Sequence, residues 1–267
     1  MLLTPLKSWL LTEFIRQSCF KRRLMGRRRG IDFLLDCFFP RRCPVCDCVL
    51  KSGEKICRKC ENELKWIKGP RCFRCGKPVE EETEYCYDCS REEFHYIRGF
   101  SLWLYEGAAK KSVAAFKYKG RQEYAAFYGE ELKKTYGEVL KRLRFDRIIP
   151  VPVHREKKRL RGYNQAELIA RELSGILQVP MEEKALIRIR STKPQKGLSP
   201  REREKNLRKA FRFDPERCRG GRPGRVLLVD DIYTTGSTIE ACTISLLAAG
   251  VKEVYFITLC IGRDIRR

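Results

Sequence analysis

The sequence predicts an α/β protein, a parallel-sheet domain preceded by a small cysteine-built module. Three observations carry this. From about Arg98 onward, short apolar runs alternate with amphipathic segments of helical period, an alternation that packs helices on parallel strands. Before it, eight cysteines fall in four CxxC pairs between Cys43 and Cys89. One run, Val226 to Val229, is wholly apolar, as suits a strand buried on both faces. A chain of 267 residues can bury one full-sized core and one small module. The expected organisation is a basic N-terminal segment over 1–40, the cysteine module over 41–90 and the α/β domain over 91–267.

The first 23 residues, MLLTPLKSWLLTEFIRQSCFKRR, have the look of a weak amphipathic or targeting segment. Glu13 and Arg16 interrupt the apolar run and no small-residue cleavage site follows, so no export signal is expected. Met25 offers a second start, which would make 1–24 an upstream extension. No run approaches the roughly 18 apolar residues of a membrane span. The expectation is a cytoplasmic protein without a span.

In the module the pairs are Cys43/Cys46, Cys57/Cys60, Cys72/Cys75 and Cys86/Cys89; adding 29 to each of the first four positions gives the second four. This is an internal repeat of one unit. Two thiolates two residues apart sit on one tight knuckle, and two knuckles supply the four sulfurs of a tetrahedral Zn²⁺. Asp47 and Gly76 follow the knuckles at positions that commonly require a left-handed backbone. Ten residues between knuckles suit a short hairpin, so the module reads as a double zinc ribbon with two structural zinc ions. Pairing within each repeat closes the shorter loop, and cross-braced pairing is the alternative. Cys48 lies beside the first knuckle and competes as a ligand. Each site should close its own hairpin independently of the larger core.

In the α/β domain, Phe100 to Tyr105 reads as a strand, Ala108 to Tyr118 as a short basic helix and Ala125 to Leu143 as a longer one. Arg147 to Val153 is a strand running into a proline-marked loop. Asn164 to Leu177 is helical, with Ala166, Ile169, Ala170, Leu173 and Leu177 on one side. Ser199, Pro200 and Glu202 spell the start of another helix. After the strand at Val226 come a helix over Ile239 to Ala249, closed by Gly250, and the strand Val254 to Ile261.

This order places VLLVDDIYTTGST, residues 226–238, at the carboxyl end of a central strand, where open α/β sheets bind ligands. A turn of small hydroxyl residues around Gly236, leading into a helix, lets backbone N–H groups and hydroxyls surround one phosphate with the helix dipole behind them. Asp230 and Asp231 repel a phosphate, so their partners are hydroxyls or a divalent cation. A phosphate close to a diol describes a ribose 5-phosphate. The strand also resembles the opening of response-regulator receiver domains, but only 36 residues follow Asp231.

The formal net charge of +23 points to a polyanionic partner. Residues 43–90 carry 9 basic and 9 acidic side chains and are neutral, whereas 154–225 carry 21 basic against 9 acidic. The positive field therefore centres on the α/β domain. Tyr118, Tyr124, Phe127 and Tyr163 stand near basic residues and are either core or stacking groups.

VLLVDDIYTTGST resembles the phosphoribosyl pyrophosphate (PRPP) signature of type I phosphoribosyltransferases. From about Ile31 the chain is similar to the ComF family of competence-associated proteins. Beyond the ribbon, the likeness includes FKYKG at 116–120, PVPVHREKKRLRGYNQAELIA at 150–170, and Thr192, Gln195, Leu198, Arg203, Asn206 and Phe211. It implies a phosphoribosyltransferase-like fold in which Asp230 and Asp231 hold the ribose hydroxyls, and Thr234, Thr235, Gly236, Ser237 and Thr238 hold the 5-phosphate. His154, Arg155 and Arg161 stand where that superfamily has its pyrophosphate loop, with Mg²⁺ accompanying PRPP. The family also implies a role in DNA uptake, with single-stranded DNA on Lys157, Lys158 and Arg159 and a DNA-uptake machinery protein as a possible partner. An active transferase on an unidentified acceptor, and a zinc-ribbon adaptor with a vestigial pocket, are the alternatives; no residue reads as selecting an acceptor.

Overall fold

The computed structural model describes residues 40–51, 53–189 and 210–263. They fall into two compact units, a small one of 40–43 and 47–57, and a large one of 44–46 and 58–263.

The 29-residue repeat is realised in the backbone of each copy. In the first, Arg42 bridges Val49 and Cys43 N donates to Cys48 O at 2.8 Å; in the second, Arg71 bridges Pro78 and Cys72 N donates to Lys77 O at 2.8 Å. Asp47 and Gly76 take the left-handed conformation expected of them, with φ of 64° and 80°. In the second copy the position also demands glycine, because a Cβ at Gly76 would stand 2.9 Å from Gly99 O. Short helices follow the third cysteine of each unit, α1 at Arg58–Glu63 and α2 at Tyr87–Arg91, again 29 residues apart.

The sheet is four-stranded and wholly parallel, in the order β1 (Arg98–Leu104), β6 (Glu253–Ile261), β5 (Arg225–Tyr233), β2 (Arg147–Pro150). β5 and β6 are central. Val226 to Val229 are all fully buried, which requires cover on both faces. Helix α6 (Gln165–Leu177) packs on β2 and β5. Its buried Ala166, Ile169, Ala170 and Leu173 are the stripe that the helical period marks, and Asn164 caps it by accepting from Ala166 N. Helix α4 (Tyr124–Arg142) packs on α6 and β1. Helix α7 (Ser237–Ala248) packs on β6 and on β4 (Phe211–Phe213), sharing a core with Val226, Leu228, Val254 and Phe256. Helix α3 (Gly107–Tyr118) follows β1 and buries Val113 and Phe116.

Three features depart from the sequence reading. The strand that begins at Val226 does not stop at Val229 but runs to Tyr233. The region after Val153 is not a loop throughout, because Arg155–Arg161 forms helix α5 with His154 as N-cap. Nothing in REKKRLR has an apolar stripe, and α5 buries no residue, so periodicity had nothing to detect. A two-stranded antiparallel sheet, β3 (Leu186–Arg188) with β4 (Phe211–Phe213), also goes unread, since three-residue strands are too short for alternation to show. The helix expected from Ser199, and Thr192, Gln195, Leu198, Arg203 and Asn206, lie outside the described residues.

The second ribbon copy belongs to the same core as the sheet. Cys72, Cys75, Cys86 and Cys89 are buried beside Tyr96, Tyr233 and Phe256. Gly99 N donates to Arg74 O at 2.7 Å, and Arg71 donates to the Tyr136 hydroxyl of α4. Residues 65–67 run along β1, with Leu104 N donating to Lys65 O and Trp66 bridging Trp103 edge to face at 5.5 Å.

Candidate functional site

β2 pairs with β5 only as far as Pro150 opposite Val229, whereas β6 pairs with β5 to Tyr233. Asp230 onward therefore projects beyond β2, at the strand-order switch where parallel sheets open a crevice. Asp230 and Asp231 lie within the extended strand, not after it. Successive strand residues face opposite sides, and the two carboxylates have different surroundings. Asp231 is buried and forms an ion pair with Lys117 Nζ at 2.8 Å, brought in by the last turn of α3. Asp230 accepts from Asp231 N at 2.8 Å. Burial, followed by the charge of Asp231, pushes its carboxyl up to about 7, with Lys117 and Arg188 opposing.

That shift has a checkable sign. A carboxyl raised in the folded state favours the protonated fold, so its contribution to stability is complete below the unfolded value near 4 and is lost as pH rises through about 7. Asp230→Asn, which cannot ionise, is expected to melt at a higher temperature than wild type at pH 8 without cations, with the difference vanishing near pH 4. Thermal melts of both proteins across that range check it.

The chain turns after Tyr233 through Thr234 and Thr235, both exposed, to Gly236, which has φ +85° and is the N-cap of α7. Thr235 Oγ1 and Ser237 Oγ lie 3.0 Å apart. The turn thus gathers three hydroxyl residues and the unpaired amide groups of a twelve-residue helix. It rests on aromatic rings. A Cβ on Gly236 would overlap the Tyr233 hydroxyl and stand 3.0 Å from Phe94 Cε1. Tyr233 stacks on Phe256 at 4.8 Å and shares a 2.6 Å hydrogen bond with the Tyr96 hydroxyl, while Phe94 stacks on Tyr96 at 5.2 Å. One turn into α7, buried Glu240 accepts from His95 N at 3.0 Å and meets His95 Nδ1 at 2.5 Å. This ties the segment after the ribbon to the helix that carries the turn.

The basic residues singled out in the sequence are divided by α5. Lys158 pairs with Glu167 at 2.8 Å, and His154 Nδ1 meets Glu156 at 3.4 Å. Arg161 donates to Gln165 Oε1 at 2.9 Å and lies over the Tyr118 ring, 5.0 Å from its centroid. Arg155, Lys157 and Arg159 are exposed. Lys117 and Arg188, the cations nearest the carboxylate pair, went unassigned in the sequence. Lys117 lay inside the quoted FKYKG, but nothing local announces a partner more than a hundred residues away.

Two cysteine groups are assembled. Cys72, Cys75, Cys86 and Cys89 lie with all sulfurs within 4.8 Å of one another, as the repeat expects. Hydrogen bonding among the sulfurs pulls Cys72 below the ordinary thiol range and pushes Cys75 above it. Four thiols this close cannot keep independent protons, which suits a shared cation. Lys77 is buried beside them and bonds Asp88 at 2.5 Å. Burial alone would lower its pKa, but Asp88 and the charges of Cys86 and Cys75 leave it raised. An ammonium there offsets the negative charge of a Zn²⁺ held by four thiolates. The other group is Cys43, Cys46, Cys48 and Cys57, with Cys48 in the place the repeat gives to Cys60. Cys48 is the counterpart of Lys77 under the 29-residue offset. Both groups fit tetrahedral zinc.

Fold and clusters together define a double-zinc-ribbon protein with a parallel α/β domain. Residues 34–90 match the double zinc ribbon domain family. The chain is 30% identical over 229 residues to Competence protein F of Haemophilus influenzae, covering 81% of this chain and 95% of that protein. It is 30% identical over 230 residues to DNA utilization protein YhgH of Escherichia coli K12, covering 83% and 97%, and 28% identical over 208 residues to Competence protein ComFC of Bacillus subtilis, covering 76% and 82%. The chain belongs to the ComF family of competence proteins. No helix among the described residues is long and apolar enough to cross a membrane.

Proposed function

We propose that the protein binds PRPP with Mg²⁺ at the carboxyl end of β5, binds single-stranded DNA on the adjoining basic surface, and acts in DNA uptake. The observation that carries the ligand reading is the juxtaposition of two carboxylates with a hydroxyl-lined turn at a helix N-terminus, Asp230 and Asp231 beside Thr234 to Thr238. The turn suits a 5-phosphate, and the carboxylates suit a diol or a hard cation. Mg²⁺ would neutralise the pyrophosphate; Asp230 and Asp231 offer the oxygen donors it prefers. Lys117 pairs with Asp231 and orients its carboxylate, and exposed Arg155 and Lys157 supply positive charge beyond the carboxylates. The names of the relatives, Competence protein F and DNA utilization protein, support the DNA role.

Calorimetric titration with PRPP tests the reading. Binding should require Mg²⁺, and Asp230→Asn and Asp231→Asn should each weaken it by roughly tenfold or more, the scale of a lost hydrogen bond to a charged group. Unchanged affinity in both variants would overturn it.

A further inference from the structure

A cavity of about 520 Å³ opens at Lys117, the residue that pairs with Asp231, within the size range of small-molecule sites. Its walls come from the end of α3 and from α5: Lys117, Tyr118, Lys119, Lys157, Leu160 and Arg161. Two of these are large apolar side chains turned to solvent, with Tyr118 72% and Leu160 86% exposed. Both lie among cations. Lys119 and Lys157 have no ion-pair partner among the described residues, and Lys117 reaches inward to Asp231. Arg161 is fixed by Gln165 and lies against Tyr118, its second amino group toward the phenol at 3.3 Å.

The other aromatics that the sequence sets near basic residues are core. Tyr124, Phe127 and Tyr163 are each less than a tenth exposed. Tyr118 alone of the four presents its ring, backed by a guanidinium and ringed by ammonium groups. A planar π-face beside cations is how proteins hold unpaired nucleotides. Leu160 supplies a second apolar wall, and Lys119 and Lys157 line the same cavity.

We infer that this cavity is a nucleotide site, in which a planar base stacks on Tyr118 against Leu160 and its phosphate is held by Lys119 and Lys157. The inference deepens the DNA reading proposed above and rests on it for the natural source of the nucleotide, a single strand rather than a free mononucleotide. It also makes base stacking, and not charge alone, part of affinity.

The test compares a labelled 12-mer of thymidylate with an abasic 12-mer of equal charge, and adds free thymidine monophosphate as a separate arm. Wild type should bind the thymidylate strand about tenfold more tightly than the abasic strand, within the range for one stacked base. Tyr118→Ala should erase that difference by weakening the thymidylate strand alone, with abasic affinity and salt slope unchanged; Tyr118→Phe should behave as wild type. Because Tyr118 is exposed, melting temperatures should match, which separates site loss from misfolding. Equal binding of the two strands by wild type, or a Tyr118→Ala protein that still prefers thymidylate, overturns the site while leaving DNA binding intact. If neither strand binds, the DNA reading fails and the monophosphate decides. Binding that Tyr118→Ala abolishes sustains the cavity as a site for free nucleotides, and no binding overturns it.

Discussion

Gly236→Val is expected to abolish the proposed PRPP binding while leaving the sheet folded. Two independent effects coincide at this residue. Its φ of +85° is strained for any L side chain and worst for a β-branched one, a cost of about 1–3 kcal/mol. A Cβ would also stand 2.9 Å from Tyr233 Cζ, and Tyr233 cannot retreat because Phe256 stacks on it and Tyr96 holds its hydroxyl. The turn itself must move, carrying with it the amide groups proposed to hold the phosphate. A loss of about a hundredfold in affinity, roughly 2.7 kcal/mol, is the expected scale. Calorimetry against PRPP, with circular dichroism as the control for folding, checks it; near-normal affinity would show that the turn does not hold the phosphate.

Cys86→Ser is expected to destabilise the whole large unit, whereas Cys57→Ser should cost one zinc ion and leave the sheet's melting transition in place. Read from spacing alone, the two sites are equivalent hairpins, each independent of the main core. The structure separates them. Cys86 is buried in one continuous core with Tyr96, Tyr233, Phe256 and Ile239, so a lost metal unsettles the residues on which the ligand turn rests. Structural zinc contributes on the order of 10 kcal/mol to small domains, and a partial loss of about 4 kcal/mol would lower the melting temperature by roughly 8–16 °C in a unit of this size. Zinc content by mass spectrometry and melts on both variants distinguish the outcomes, and identical small shifts would mean that the second cluster is as peripheral as the first.

The strands and long helices were readable because their signals are local. The apolar run at Val226 and the stripe of α6 follow from burial on two faces or one, and Gly76 follows from the turn a knuckle needs. What went unread depends on distance in the chain or on brevity. Lys117 meets Asp231, and Tyr96 meets Tyr233, across more than a hundred residues. Helix α5 has no apolar stripe, and β3 and β4 have three residues each. The carboxylate pair was found in the sequence, but its asymmetry was not. One acid is ion-paired to an ammonium and the other is pushed up to about 7 by burial, a difference set by packing that adjacent identical letters conceal.

The 29-residue repeat puts two different side chains at one equivalent position, 48 and 77. Two copies of one unit start with the same knuckles, the same left-handed residue and the same short helix, yet position 48 is a sulfur that joins its cluster and position 77 an ammonium sealed beside the other. A lysine in that place commits the copy to permanent enclosure, since a buried cation needs the anionic cluster and Asp88 around it. The second copy has therefore ceased to be a module. It could not be exchanged for the first or deleted without taking down a wall of the sheet domain.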